Sequence, residues 1–134
     1  MKVKIIIGIL ITFIIVIFLG IKQYNKPHVD VSKTAANYKL STNELIKEFI
    51  IDENIADKKF ANKIVEINGT ILEISTTNGK GIVTLAGNEA NVICQLNEKE
   101  NKKIMQLKKD QNIIIKGQCS GYLMDIMLVN CIIK

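Results

Sequence analysis

"IVEINGTI" (residues 64–71) and "NIIIKGQC" (residues 112–119) decide the fold. In each, apolar residues stand two apart, a polar residue and a glycine follow, and the chain returns to strand. Alternation of period two is the mark of a half-buried β-strand. In the first stretch Val65 and Ile67 alternate with Glu66 and Asn68. After Gly69 the phase shifts, so that Leu72 and Ile74 become the inward candidates and Glu73 faces out. A one-residue shift at a glycine predicts a β-bulge, which lets a long strand bend and serve two sides of a small barrel.

Three further strands and a helix, with their turns, fit around these two. "TTNGKG" (76–81) is a turn with a strong hairpin signal at Asn78-Gly79, and "IVTLA" (82–86) is the second strand. "GNEA" (87–90) turns into "NVICQLN" (91–97), which puts Val92, Cys94 and Leu96 on one face. Residues 98–109 suit a short helix with Ile104 and Leu107 as its buried contacts. "NIIIKGQC" is then the fourth strand, "SGYLMD" (120–125) a loop, and residues 126–134 the fifth strand. Five strands with a helix between the third and fourth is the layout of the OB-fold, a small Greek-key barrel. The expected class is mainly β, with a helical segment and a transmembrane helix before the barrel. The first and fourth strands should close against each other, which makes the repeated pattern a closure feature and not an internal duplication. A simple meander sheet is the alternative.

Upstream, residues 41–60 read as helical. Ser41 and Glu44 fit a capping box, in which each side chain satisfies an orphan amide at the helix start. Leu45, Ile46, Phe49 and Ile50 form an apolar stripe. Asp52 can cap a second short helix that carries Ala56 and Phe60 on one face. Residues 23–40 are polar and contain the single proline, and read as a tether. His28, the only histidine, lies there and reads as solvated.

"MKVKIIIGILITFIIVIFLGIK" opens the chain. Ile5 to Ile21 contain no charge, and as a helix they span roughly 26 Å, close to a hydrocarbon core of about 30 Å. The run is longer than a signal-peptide core, and "IFLGIK" lacks a small-x-small cleavage site, which favours an uncleaved anchor over a cleaved signal. No cysteine precedes Cys94, so lipid attachment at an N-terminal cysteine is not expected. Lys2 and Lys4 favour a cytoplasmic N-terminus, with the domain outside (periplasm or cell surface). The organisation is then an anchor over 1–22, a linker over 23–40, and a domain over 41–134 with its leading helix at 41–60.

The formal net charge is +5, but Lys2, Lys4, Lys22 and Lys26 flank the apolar run. Beyond them 14 basic residues face 13 acidic ones, so the domain is nearly neutral. That gives little attraction for phosphate.

With the strands placed, "ANYKLSTNELIKEF", "NIADKKFANKIVEINGTI", "VICQL", "IIIKGQCSGY" and "LVNCIIK" resemble the tRNA_anti-like family of OB-fold lipoproteins, over about residues 35–134. The helix leading to Ala-x-x-x-aromatic and then Val-x-Ile-x-Gly carries most of the resemblance. The family name reflects likeness to anticodon-binding OB domains and implies no demonstrated RNA role or molecular function. Its members are mostly short bacterial proteins with an N-terminal signal or lipid-attachment segment. This chain departs from the lipoprotein pattern in lacking the acceptor cysteine, so its anchor would be the helix itself.

Three function classes follow. The first is a membrane-tethered binding module, non-enzymatic and without a cofactor or metal, whose partner is another envelope protein or a small ligand. OB domains bind on the face of strands two and three and with the loops after strands one and four. Here those loops offer Thr76, Asn78 and Lys80 in one, and Tyr122 and Met124 in the other. Tyr122 and Met124 either anchor a partner or fold back over the barrel end. The second class, single-strand or tRNA-like nucleic-acid binding, needs a positive groove and stacking aromatics. Strands two and three contain no aromatic and hold charge only at their margins. The third class is an enzyme. The domain has no histidine, and Cys119 and Cys131 form no C-x-x-C motif, so neither a zinc nor a thioredoxin-like site is indicated. Cys119 and Cys131 flank the last hairpin. They could form a disulfide closing a loop of about a dozen residues, stabilising by about 2–3 kcal/mol in an oxidising exterior. If Gly117 is a bulge, Cys119 turns away and all three cysteines remain free thiols.

Overall fold

The computed structural model describes residues 1–24 and 29–134; His28 and Lys26 lie outside the described residues. The chain forms α1 (Lys2–Tyr24), β1 (Tyr38–Ser41), α2 (Thr42–Ile51) and α3 (Glu53–Phe60). The strands β2 (Ile64–Thr77), β3 (Lys80–Leu85) and β4 (Val92–Leu96) follow. A 3₁₀ helix (Glu98–Gln106) then leads to β5 (Asn112–Tyr122) and β6 (Ile126–Ile133).

β2 to β6 form a closed five-stranded barrel in the order β2-β3-β4-β6-β5, sealed by β2 against β5. The two quoted stretches are each other's partners at this seam. Ile64 pairs with Gln118, Ile67 with Ile115, and Gly69 with Ile113, all antiparallel. Inward side chains alternate along every strand: Val65, Ile67 and Ile71, then Val83 and Leu85, Val92 and Cys94, Ile113 and Ile115, and Leu128. The parallel pair β4–β6 and the helix before β5 complete the Greek key.

The glycines of the repeated pattern act by close approach. Inward alternation runs straight through Gly69 to Ile71, and the register of β2 on β3 shifts only between Ile71 and Glu73. The bulge expected at Gly69 therefore falls at Leu72, which is 39% exposed and not inward. A methyl group at Gly69 would collide with the Thr42 hydroxyl, which donates to the Asn68 carbonyl at 3.2 Å and seats α2 on the barrel. At Gly117 a methyl group would collide with the Cys131 sulfur. Here the register does shift, because Lys116 faces Ile132 while Gln118 faces Val129. The extra residue sits on β6, where Asn130 takes a φ of 53°.

α2 starts at the expected capping box: Glu44 Oε2 accepts from the Ser41 amide at 2.7 Å, and Ser41 Oγ accepts from the Glu44 amide. Asp52 caps α3 through the Ile55 amide at 3.0 Å. Leu45, Ile46 and Phe49 are buried, whereas Ile50 is not. Phe49 packs beside Phe60, with ring centroids 5.8 Å apart.

The tether read over 23–40 is in part built into the barrel. Tyr38–Ser41 pairs in parallel with Val65–Asn68. Asn37 brackets Ile64 with two hydrogen bonds, its amide donating to the Ile64 carbonyl and its side-chain oxygen accepting from the Ile64 amide. Val31 is buried, and Lys116 Nζ donates to the carbonyls of Ser32 and Thr34 at 3.4 and 3.0 Å. Polar composition hid this strap, because its attachment is mostly backbone hydrogen bonding, which leaves no apolar period. α1 carries its apolar side chains exposed along its length, and Lys2–Lys22 is long and apolar enough to cross a membrane.

Candidate functional site

Strand direction gives the barrel two ends with different loops. At one end Asn78 and Gly79 take positive φ and turn β2 into β3, and the 3₁₀ helix caps the opening. Asn101 ties the two together, donating to the Gly79 carbonyl at 2.8 Å and accepting from the Gly81 amide at 2.9 Å. At the other end the Asn91 amide donates to Asp125 Oδ1 at 2.8 Å, which fixes the turn between β5 and β6 against the loop between β3 and β4.

The sequence-predicted site residues therefore divide. Thr76, Asn78 and Lys80 lie at the 3₁₀-helix end, and Tyr122 and Met124 at the opposite one. The six residues of β3 separate them by about 20 Å. The expected loop 120–125 shortens to Leu123–Asp125, because Ser120–Tyr122 continue β5. Tyr122 folds back: its ring centroid is 5.6 Å from that of Phe49. Met124 stays out at 84% exposure, next to Leu123 at 94%. Leu123 escaped the sequence reading; its signal was two consecutive apolar residues between a Tyr and an Asp in a turn.

Each end has a cleft. The one at the 3₁₀-helix end, about 490 Å³, is polar and mixed in sign, with Lys80, Lys99, Glu98 and Asp30 in its wall. The Asp30 carboxyl is held below its ordinary range, first by the hydrogen bond from the Ser32 side chain. The opposite cleft, about 500 Å³, is apolar, with Leu123, Met124, Met127 and Ile93 in its wall and Asp57 and Asp125 at its edge. Between the clefts runs the outer face of β3, β4 and β6. Register places Thr84, Ile93 and Met127 in one row, and Ile82 and Gln95 in the next. Neither row carries a lysine or an aromatic ring; Lys80 stands only at the margin.

Cys94, Cys119 and Cys131 are free, buried thiols. Cys119 lies across from Leu128, three positions from Cys131, so the two thiols do not face each other across the hairpin. Burial pushes the Cys119 thiol up to about 11. Burial also raises Cys131 well above the ordinary thiol value, and the adjacent Cys94 thiol adds to the shift. Thiols in that state remain protonated at neutral pH and supply no nucleophile. Glu66 is paired with Lys134 at 2.9 Å and lies near Lys39 at 3.9 Å. Among the described residues no three His, Cys, Asp or Glu side chains gather as a metal site.

The model of the tRNA_anti-like family matches residues 1–133. A crystal structure from Klebsiella pneumoniae, described as a "putative nucleic acid-binding lipoprotein", superposes with a TM-score of 0.62 at 16% identity, covering 81% of this chain and 99% of that one. A structure described as a "putative aspartyl-tRNA synthetase" from Leishmania major superposes with a TM-score of 0.52 at 11% identity. That match covers 80% of this chain and 22% of the other. At these identities the likeness is one of fold. No curated protein gives a significant match.

Proposed function

Because the chain belongs to the tRNA_anti-like family, with its OB barrel, we propose that it is a membrane-anchored, extracytoplasmic OB module that binds another envelope protein and catalyses no reaction. The observation that carries this reading is the apolar cleft: Leu123, Met124 and Met127 are exposed together beside Ile93, on a barrel whose other large apolar side chains are mostly buried. Exposed apolar clusters of this kind mark contact surfaces. α1 supplies the anchor, and the lysines before it favour an exported domain.

Nucleic-acid binding is the second reading, prompted by the name of the Klebsiella structure. Stacking platforms and a basic groove are its physical requirements, and the outer rows of β3, β4 and β6 supply neither. The test is to replace Leu123 and Met127 with Asp in the full chain and compare the size of the detergent-extracted complex. Loss of a larger species with the barrel still folded supports the protein-partner reading. An unchanged complex rejects it.

A further inference from the structure

The membrane reading, together with the strap, sets the barrel's orientation. Tyr24 ends α1, and Val29 already lies in the wall of the polar cleft, beside Lys80 and Lys99. Five residues of chain reach at most about 18 Å, whatever conformation they take. Val31 is buried, and Lys116 holds the carbonyls of Ser32 and Thr34, so the strap cannot lengthen this reach without breaking those contacts. The 3₁₀-helix end is therefore the end next to the membrane.

That end has the chemistry of a headgroup contact. "KKIMQLKK" (102–109) holds Met105 at 89% exposure between pairs of lysines. Lys102, Lys108 and Lys109 are exposed and, like Lys99, make no ion pair among the described residues. On the same cap, Glu100 is engaged by Lys103 at 2.8 Å and by the Ile133 amide at 3.0 Å, leaving Glu98 and, past the helix, Asp110 as acidic groups without an ion pair among the described residues. Met105 is too exposed for a packing role, and Ile104 and Leu107 already supply the helix's contacts with the core.

We infer that the 3₁₀ cap docks on an anionic lipid surface, with Met105 entering the headgroup layer and Lys99, Lys102, Lys108 and Lys109 facing lipid phosphates. Lysines near an anionic surface each contribute to such contacts, and salt screens them. Docking would hold the apolar Leu123–Met127 cleft on the far end, turned away from the membrane and open to an envelope partner. This rests on α1 being in the bilayer.

The test uses the full chain reconstituted in vesicles of phosphatidylcholine with or without phosphatidylglycerol. A fluorophore is placed at Met105→Cys or Met124→Cys, the native thiols being buried, and lipids with a headgroup quencher are added. Quenching at position 105 is expected in anionic vesicles, to fall in high salt or pure phosphatidylcholine, and to be absent at position 124. Replacing the four lysines with Gln should lower the docked-to-undocked ratio roughly five-fold per residue. No quenching at 105 in protein that floats with the vesicles and resists carbonate extraction overturns the docking while the anchor stands. Failure to float overturns the anchor and the docking with it.

Discussion

Gly117→Ala tests why the barrel seam needs a glycine. A methyl group there would meet the Cys131 sulfur head-on, 3.3 Å from Leu128 Cβ and 3.4 Å from the Val129 carbonyl oxygen. Two of the three neighbours are fixed, one as backbone and one as a Cβ, so relief must come from Cys131 or from opening β5 against β6. Cys131 is fully buried and has little room to rotate. Overpacking at such a site costs about 1–3 kcal/mol. In a domain of this size each kilocalorie lowers Tm by about 4–8 °C. Cys131→Ala removes the sulfur and should absorb part of the new methyl. The double variant should therefore be less destabilised than the two single losses combined, by on the order of 1 kcal/mol. Thermal melts followed by tyrosine absorbance, in one detergent for all four proteins, read the cycle. A Gly117→Ala protein as stable as the parent, or strictly additive losses, would refute the close-approach account.

Three further outcomes are expected. Protease added to spheroplasts should digest the barrel and leave α1, whereas a soluble product trimmed near Lys22 would mean that the apolar segment is a cleaved signal. Native protein at neutral pH should take up no alkylating reagent, because its thiols are buried and that of Cys119 is pushed up to about 11; in denaturant without reductant all three should react. Glu66 is held below the ordinary carboxylate value of 4.5, first by the Lys134 hydrogen bond, against the opposing effect of burial. A depressed carboxylate contributes stability at neutral pH that begins to fade near 4.5 and is lost as pH falls through the folded value. Glu66→Gln should therefore flatten the acid limb of a stability–pH curve and leave any limb above neutrality unchanged.

The barrel was legible in the sequence because alternation, the Asn78-Gly79 turn and the helix caps are local signals. The seam between residues 64–70 and 112–118 was legible through the fold rule. What each glycine does was not, since a glycine in a strand signals either a bulge or a close approach. Gly69 belongs to the second kind and Leu72 holds the bulge. The strap escaped because one buried valine and a distant lysine give no periodic pattern; Lys116 reaches Thr34 across 82 positions of sequence. For the candidate site, the sequence points to the turn between β5 and β6 at Tyr122 and Met124 and not at Leu123; the structure packs the Tyr122 ring beside Phe49 and leaves Met124 and Leu123 exposed in that turn. Thr76, Asn78 and Lys80 were grouped with it by loop convention, although strand direction sends them to the other end.

A photoreactive residue at position 124, activated in intact cells, tests the binding claim most directly. Met124 points outward beside Leu123 and Met127, so a partner in the apolar cleft lies within reach. The account predicts one discrete protein adduct that survives nuclease and is lost when Leu123 and Met127 are replaced with Asp. An adduct that disappears with nuclease, or a protein adduct that persists in that double variant, would contradict it.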